Sequence, residues 1–348
     1  MKLVRTEDAV GQVLCHDITQ IIPGVVKDAV FRKGHIVTKE DIPVLLSVGK
    51  ENLYIWEKQE GMLHENEAAE ILRQICQGEH MHPSEVKEGK IELIADCEGV
   101  LKINTEKLNA VNNLGEMMIA SRHGNFPVKT GDKIAGTRII PLVIEEEKMQ
   151  KACEVAGKEP IFRILPYQKK KAGIVTTGSE VYYHRIEDKF TPVVIEKLKE
   201  CGVTEVKQIQ CNDDHEMIME AIQTLIEDGS DLIVCTGGMS VDPDDKTPLA
   251  IKNTGARIVS YGAPVLPGAM FLLAYYDRME QGKNRRTVIM GLPGCVMYAK
   301  RTIFDLVLPR VMADDEVTAD ELAALGMGGL CLNCPVCTFP NCGFGKGY

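Results

Sequence analysis

The strongest constraint on the fold of this chain is an alternation of apolar and helix-like segments between about residues 171 and 312. Strand-like segments cover residues 172–176, 206–211, 231–235 and 287–290, and all of them except 206–211 are mainly apolar. Segments with apolar residues three and four positions apart separate them. This alternation predicts a doubly wound parallel sheet, an α/β fold with helices on both faces. A last long helix is predicted through Val296, Ala299, Ile303 and Leu306.

The residues before this region have a weaker and more mixed pattern. Residues 1–60 combine short apolar runs with turn residues, and residues 61–166 contain one helical pattern among short strand-like runs. The sequence therefore predicts two small α+β modules, over residues 1–60 and 61–166. The α/β domain follows over residues 170–312, and a Cys-rich tail occupies residues 326–348.

Composition and charge argue against several classes of function. The chain has 348 residues, with 40 Lys plus Arg against 50 Asp plus Glu and a formal net charge of −10. Nonspecific nucleic-acid binding depends on clustered basic residues, so this balance disfavours it. No run approaches the roughly 20 apolar residues that span a bilayer, and the first residues lack the apolar core of a signal peptide. We therefore expect a cytoplasmic protein that binds neither nucleic acid nor membranes.

Three glycine-containing loops follow strands of the predicted sheet. They are Thr177-Gly178-Ser179-Glu180, Thr236-Gly237-Gly238-Met239-Ser240 and Gly291-Leu292-Pro293-Gly294. Ligands of such sheets bind at the carboxyl ends of the strands, and glycine lets the backbone approach a ligand closely. Any one of these loops could be a simple turn between a strand and a helix. Three loops on one edge, with the hydroxyl groups of Thr236 and Ser240, favour a ligand that carries phosphate.

Acidic residues are concentrated on the same predicted edge. They are Glu180, Asp213, Asp242, Asp244 and Asp245. Carboxylates next to a bound phosphate commonly hold Mg²⁺. Helix capping is the alternative for Asp213 and its neighbour Asp214, and residues 242–248 could also form a turn that leads into a helix. Both interpretations stay open for Asp213, whereas for Asp245 we favour a functional role.

In this order, the motifs resemble the molybdopterin-binding domain that molybdopterin adenylyltransferases and molybdenum insertases share. The resemblance covers about residues 170–312 and includes the three glycine loops, the Asp213 loop and Asp245-Lys246-Thr247-Pro248. Residues 31–42 also look like a segment that precedes this domain in insertases. The resemblance implies a doubly wound α/β domain that binds the phosphate of a dithiolene pterin. The implied reaction is molybdate insertion or Mg²⁺-dependent adenylyl transfer.

The resemblance also implies roles for individual residues. Asp213, Asp245 and Glu180 would be catalytic. The residues implied to bind the ligand are Thr177, Gly178, Ser179, Thr236, Gly237, Gly238, Ser240, Asp242, Pro293 and Gly294. The expected activity is that of a transferase similar to molybdopterin molybdenumtransferase, with molybdopterin or its adenylylated form and molybdate as ligands. The resemblance also suggests a homodimer.

Two departures from the insertase pattern support an alternative function. Insertases usually have Lys where this chain has Ala269, and Asn-Pro where it has Cys295-Val296. The alternative is a carrier without catalytic activity, which would bind molybdopterin and deliver it to a client molybdoenzyme. A third interpretation is that the fold binds another nucleotide-like ligand, because a fold does not by itself define a function.

The last eighteen residues contain four of the twelve cysteines. Cys331, Cys334, Cys337 and Cys342 are separated by two, two and four residues. Thiolates at such short spacing suit either tetrahedral Zn²⁺ or an iron–sulfur cluster. Free exposed thiols would be prone to oxidation, which makes an unligated cluster the weaker interpretation. The sequence predicts a metal site in the tail and leaves the choice between Zn²⁺ and an iron–sulfur cluster open.

Overall fold

The computed structural model describes residues 2–22, 26–55, 60–240, 242–243, 245–280 and 282–347. Contacts divide the chain into two units. The first comprises Met1–Asp96, Ile103–Arg122 and Thr130–Arg163, and the second comprises Cys97–Lys102, His123–Lys129 and Ile164–Tyr348. In the part of the chain that is described, no helix is both long and apolar enough to cross a bilayer. The domain boundaries expected from the sequence stay predictions.

The described residues form short strands and helices that alternate along the chain. The strands are β1 (Lys2–Arg5), β2 (Ile18–Ile22), β3 (Val26–Phe31), β4 (Asn52–Ile55), β5 (Met62–His64), β6 (Met81–Pro83), β7 (Lys90–Ala95), β8 (Gly99–Ile103), β9 (Met117–Ser121), β10 (Pro127–Val128), β11 (Lys133–Ile139), β12 (Val143–Glu145), β13 (Phe162–Pro166), β14 (Lys171–Thr177), β15 (Glu205–Cys211), β16 (Leu232–Thr236), β17 (Arg257–Tyr261), β18 (Leu272–Glu280) and β19 (Lys283–Leu292). The α-helices are α1 (Asp41–Ser47), α2 (Glu65–Cys76), α3 (Thr105–Asn112), α4 (Glu146–Ala156), α5 (Ser179–Tyr182), α6 (Phe190–Glu200), α7 (His215–Glu227), α8 (Thr247–Asn253), α9 (Ile303–Met312) and α10 (Ala319–Ala324).

The first unit combines small antiparallel sheets with helices, as the predicted α+β pattern requires. Its four-stranded sheet has the order β6-β7-β11-β9. Helix α2 begins after His64, whose ring nitrogen accepts the amide of Asn66 at 3.1 Å. The carboxylate of Glu67 in turn accepts the amide of His64 at 2.9 Å, which completes a capping box. The helix then buries an apolar face that includes Leu72.

The second unit is built on a six-stranded sheet with the order β15-β14-β16-β19-β18-β17. Strands β15, β14, β16 and β19 are parallel to one another. Strands β18 and β17 continue the sheet as antiparallel partners. The predicted α/β fold is therefore confirmed, and the structure adds two antiparallel strands at one edge of the sheet.

Both faces of this sheet are covered by helices. Successive side chains of a strand point to opposite faces, so Val234 packs in one apolar cluster and Cys235 in another. The Val234 cluster includes residues of α6 and α9, and the Cys235 cluster includes residues of α7 and α8. This arrangement of helices is that of a doubly wound domain.

The long helix predicted from Val296 is wrong. After β19, the chain forms only a short 3-10 turn over Gly294–Met297, and α9 starts at Ile303. The hydroxyl of Thr302 accepts the amide of Phe304 at 3.2 Å, and the carboxylate of Asp305 accepts the amide of Thr302 at 2.7 Å. This capping box fixes the start of the helix. The apolar spacing was misleading because Val296 is buried without being helical.

Candidate functional site

The three glycine loops leave the sheet at the same edge. In the register of the parallel strands, Thr236 lies between Thr176 and Leu292. Thr177 lies beside Cys211, the last residue of β15. The loops that follow β14, β15, β16 and β19 therefore start side by side at the carboxyl ends of their strands. This confirms the predicted convergence of the loops, and we call this region the candidate edge.

The first two loops are packed so closely that one of them requires glycine. Gly237 and Gly238 both have positive φ angles, of +86° and +57°. A Cβ atom at Gly237 would lie 2.4 Å from the carbonyl oxygen of Thr177, and one at Gly238 would lie 2.7 Å from the hydroxyl oxygen of Thr247. Both the φ angles and the contacts exclude larger residues. The glycines thus bring the two loops into direct contact.

Hydroxyl groups fix the conformation of the second loop. Thr177 donates to the carbonyl of Thr236 at 3.1 Å, and Thr247 donates to the carbonyl of Gly237 at 2.9 Å. Tyr261 in β17 donates to the carbonyl of Met239 at 2.9 Å. Burial raises the pKa of Tyr261, and the charge of Asp245 raises it further. Neither Thr247 nor Tyr261 was predicted to support this loop, because the residues that they contact lie ten or more positions away in the chain.

The hydroxyl group of Thr236 has no hydrogen-bond partner in the described part of the chain. Its Oγ1 is buried and, like the Oγ of Ser230, has no hydrogen-bond partner among the described residues. A buried polar group without a partner costs about 1–3 kcal/mol. Thr236 is the last residue of β16, directly before the two glycines. Its hydroxyl is therefore a candidate hydrogen-bonding group for a ligand at the edge.

Asp213 connects two of the loops. Its carboxylate accepts the amide of Ser179, in the first glycine loop, at 2.7 Å. The helix cap is its neighbour Asp214, whose carboxylate accepts the amides of Glu216 and Met217 at 3.0 Å each. These amides hold the pKa of Asp214 below its ordinary value. The capping alternative thus applies to Asp214, and the catalytic role of Asp213 stays a prediction.

The other predicted acidic residues differ in what they contact. Asp245 is half-buried, and its carboxylate accepts the amide of Asp242 at 3.1 Å. It therefore closes a turn, as the alternative interpretation of this segment expected. Glu180 is exposed in the first turn of the short helix α5, and Ser240 is also exposed. Asp244 lies outside the described residues.

A divalent metal at this edge would need coordinating atoms from the ligand in addition to those of the protein. Within the described ranges, no three His, Cys, Asp or Glu side chains are arranged to hold a metal ion. Mg²⁺ is typically bound by only one or two carboxylates together with substrate phosphates and water. The predicted Mg²⁺ therefore stays a prediction.

The third loop is more open than the other two. Pro293 is buried, whereas Gly294 is exposed, and a Cβ atom at Gly294 would meet no atom within 4 Å. The loop continues through the 3-10 turn to Lys300 and Arg301. Burial raises the pKa of the Cys295 thiol within this turn. This loop contributes backbone and open space to the candidate edge.

A polar network on one face of the sheet supports the first loop. The hydroxyls of Thr176 and Thr191 lie 2.8 Å apart, and the amide group of Gln208 donates to Thr191 at 3.0 Å and to Asp188 at 2.8 Å. Burial acts to raise the pKa of Asp188, but hydrogen bonds from Thr191, Gln208 and the Phe190 amide outweigh it and hold the pKa below its ordinary value. None of these residues was predicted as part of the site.

The four cysteines of the tail border one cavity of about 480 Å³ in the second unit. Cys331 and Cys342 are half-buried and pack against the apolar core. Cys334 and Cys337 are exposed. Among the described residues, the structure therefore brings the predicted ligands to one place without arranging them around a metal. The predicted metal site stays a prediction.

Two family models match parts of the chain. Residues 173–313 match the model described as a probable molybdopterin binding domain. Residues 3–57 match a domain of unknown function, DUF8806. The region of the candidate edge thus matches the model of a probable molybdopterin binding domain, the family that the motifs resemble.

Curated relatives and solved structures are similar to parts of the chain. A CinA-like protein of Mycobacterium tuberculosis (strain ATCC 25177 / H37Ra) is 38% identical over 77 residues, which are 22% of this chain and 18% of the relative. The chain thus aligns with less than a fifth of the length of this relative. The tungsten cofactor synthesizing protein MoaB from Pyrococcus furiosus is 21% identical, with a TM-score of 0.31 over 42% of this chain and 89% of that chain. The molybdopterin biosynthesis Mog protein from Mycobacterium ulcerans is 19% identical, with a TM-score of 0.31 over 44% of this chain and 99% of that chain.

Proposed function

We propose that this chain acts in molybdenum cofactor maturation and binds molybdopterin, or its adenylylated form, at the candidate edge. The observation that carries the proposal is the family match over residues 173–313, which includes all three glycine loops. The packing of Gly237 against Thr177 supports it, because it fixes a loop at the carboxyl ends of the strands, where ligands of such sheets bind.

The phosphate of the ligand also explains the acidic residues. A chain with a net charge of −10 would repel a phosphate unless a cation or backbone amides offset the charge. We propose Mg²⁺ as this cation; Asp213, Asp245 and Glu180 would hold it together with the phosphate. When bound, Mg²⁺ would neutralise charge that develops on the phosphate oxygens. The residues themselves orient the loops, since Asp213 binds the amide of Ser179.

The proposed reaction is molybdate insertion into the adenylylated ligand with AMP as the leaving group, as in a molybdopterin molybdenumtransferase, or adenylyl transfer from ATP to molybdopterin with pyrophosphate as the leaving group. Asp245→Asn tests this role. In the wild type, the amide of Asp242 donates to the carboxylate of Asp245 at 3.1 Å. The side-chain oxygen of Asn can accept the same hydrogen bond, so the variant keeps the turn and loses only the negative charge. We expect turnover of molybdopterin with ATP, Mg²⁺ and molybdate to fall at least about 100-fold, the scale of a lost metal contribution.

Asp320→Asn is the matched control for this experiment. Asp320 is an exposed aspartate in the first turn of α10, outside the segments that form the edge. Its substitution should leave turnover unchanged, and both variants should unfold at the wild-type urea concentration. Wild-type turnover in folded Asp245→Asn protein would remove the catalytic role of Asp245.

A carrier function is the second candidate, and Ala269 supports it. Insertases usually have Lys at this position, and here the residue only provides a backbone carbonyl, which accepts the amide of Ala263 at 3.0 Å. The same assay separates the candidates, because a carrier binds molybdopterin without converting it. If pterin fluorescence detects no binding at all, the third interpretation, another nucleotide-like ligand, is favoured.

A further inference from the structure

The Cys-rich tail is the one motif that the proposed function leaves without a role. Its four cysteines border a single cavity of about 480 Å³. The same cavity is lined by Pro267 and by Tyr298, Lys300 and Arg301. The last three residues lie in the segment that follows Gly294 of the candidate edge. The tail cysteines and the segment that continues the third glycine loop thus line the same cavity.

Both ends of the cysteine segment are attached to the second unit. The amide of Cys331 donates to the carbonyl of Leu266 at 2.8 Å, and the amide of Leu266 donates to the carbonyl of Gly329 at 2.8 Å. At the other end, Phe344 is buried in the apolar core. Cys331 and Cys342 are therefore held near the cavity by backbone pairing and by burial.

The residues between these two ends are poorly packed. Leu332 is 79% exposed and Val336 is 76% exposed, and Cys334, which lies between them in the chain, is exposed as well. Exposed apolar side chains on either side of Cys334 are unfavourable in water. Binding of a metal and ordering of its ligand loop are coupled, so a loop that is loose without metal can close around it. The cavity provides the space into which this loop can move.

Two positively charged side chains contact the segment that carries the cysteines. Lys300 donates to the carbonyls of Cys334 and Pro335 at 3.1 Å and 2.8 Å. The guanidinium of Arg301 lies 5.3 Å from the ring centroid of Phe339. A divalent metal with four thiolates has a net charge of −2, and neighbouring Lys or Arg residues favour thiolates. The ammonium of Lys300 would offset part of this charge, and Lys300 connects the tail to the third loop.

Arg301 is itself rigidly held. Its guanidinium pairs with Asp305 at 2.8 Å and with Glu200 at 2.7 Å. Asp305 also pairs with the buried Lys197 at 2.6 Å and caps α9. The tail therefore contacts a segment whose carboxyl end is anchored through Arg301, whereas Gly294 at its start is exposed. If the tail is ordered by a metal, its contact with the Lys300 side chain would hold the segment Gly294–Arg301 at a second point.

We propose that Cys331, Cys334, Cys337 and Cys342 hold one metal centre through four thiolates, and that this centre fixes the segment Gly294–Arg301 through Lys300. Zn²⁺ and an iron–sulfur cluster share this thiolate chemistry. Any effect of the metal on ligand binding at the edge rests on the proposed function. The metal centre and its effect on the segment do not, and they are tested without a pterin.

The first experiment measures metal content. Full-length protein is purified without oxygen and compared with a Cys334→Ser, Cys337→Ser double variant, in which two exposed cysteines are replaced. Cys153→Ser is the matched control, since Cys153 is an exposed cysteine of α4 in the first unit. We expect one metal centre per chain in the wild type and in the control, and loss of metal from the double variant.

Spectra distinguish the two metals. Bound zinc that can be replaced by Co²⁺, with thiolate-to-cobalt charge-transfer bands, indicates a zinc site. Iron with acid-labile sulfide and visible charge-transfer bands indicates a cluster. Either result supports the four-thiolate centre. Absence of both metals from the wild type, or full metal retention in the double variant, would overturn the proposal.

The second experiment tests the effect on the segment by hydrogen exchange. Removing the metal from the wild type should speed amide exchange over residues 294–301, and restoring it should slow exchange again. Lys300→Ala should reduce this protection and weaken metal binding by about 10- to 100-fold, as loss of a group that supports a metal ligand does. Exchange that is independent of metal would refute the coupling even if metal is bound. Neither result depends on whether molybdopterin binds.

Discussion

The candidate edge and the Cys-rich tail lie in the same unit but are prepared for binding in opposite ways. At the edge, Gly237 packs against Thr177, and hydroxyl groups of Thr247 and Tyr261 fix the loop around it. In the tail, the cysteines meet at one cavity, but Cys334 and Cys337 are exposed and no metal-binding arrangement is present in the described residues. The edge is built before a ligand binds, and the tail is not.

The difference follows from the chemistry that each region uses. Backbone amides that bind a phosphate must be oriented in advance, because reorienting a loop would cost conformational entropy. Thiolates can be gathered by the metal itself, since the metal–ligand bonds are strong enough to order the loop. A rigid edge and a loose tail are therefore both suited to their predicted ligands.

The largest expected contrast is in thiol reactivity. In metal-free protein near pH 8, Cys334 and Cys337 should be alkylated much faster than Cys211, which ends β15 at the candidate edge. Burial raises the pKa of Cys211 to about 11, which reduces its thiolate fraction about 100-fold relative to an ordinary thiol. Mass spectrometry of time points gives the rates, and added metal should protect the tail cysteines alone. Equal rates at Cys211 and Cys334 would contradict the contrast.

A smaller effect is expected when the packing of the edge is broken. Gly237→Ala adds a Cβ atom 2.4 Å from the Thr177 carbonyl oxygen at a φ of +86°. Gly255→Ala is the matched control, because Gly255 has the same φ but no atom within 4 Å of its Cβ position. Both variants lose about 1–2 kcal/mol from the positive φ. Gly237→Ala should lose about 1–3 kcal/mol more through the clash.

Urea unfolding of both glycine variants measures this difference. If the two variants have the same free energy of unfolding, the loops are free to separate, and the edge is not built in advance. Binding of molybdopterin should also fall in Gly237→Ala and stay unchanged in Gly255→Ala, which distinguishes damage at the edge from general destabilisation.

The smallest expected effect is a pH dependence from the network below the first loop. Because the pKa of Asp188 is lowered in the folded state, its contribution to stability is present above its unfolded pKa of about 3.9 and is lost as the pH falls through the folded pKa. Asp188 is half-buried, so we expect less than about 1 kcal/mol. Urea unfolding of the wild type and of Asp188→Asn at pH 6 and pH 3.5 measures this contribution to stability. If both proteins lose the same stability between the two pH values, Asp188 does not contribute through its charge.

Much of the α/β domain could be predicted from the sequence. Strands β14, β16 and β19 lie at the predicted apolar runs, and the glycine loops leave them at one edge as expected. The predictions failed or stayed open where one local sequence pattern is compatible with more than one structure. Val296 and Ile303 have helical spacing, but the capping box of Thr302 and Asp305 starts the helix at Ile303. Asp213 and Asp214 are neighbours with similar patterns, and only the structure separates the cap from the loop contact.

Local sequence patterns were enough to establish the order of strands and helices in the α/β domain, the positions of the glycine loops and the spacing of the tail cysteines. These properties depend on residues that are close in the chain, where periodicity and backbone preferences act directly. Three other features could be seen only in the folded chain: Tyr261 holds the second loop, Thr236 keeps an unpaired hydroxyl among the described residues, and Lys300 contacts the tail. Each of these features depends on which residues from distant parts of the chain lie next to one another. The packing of the sheet and its helices decides this, and no local sequence pattern does.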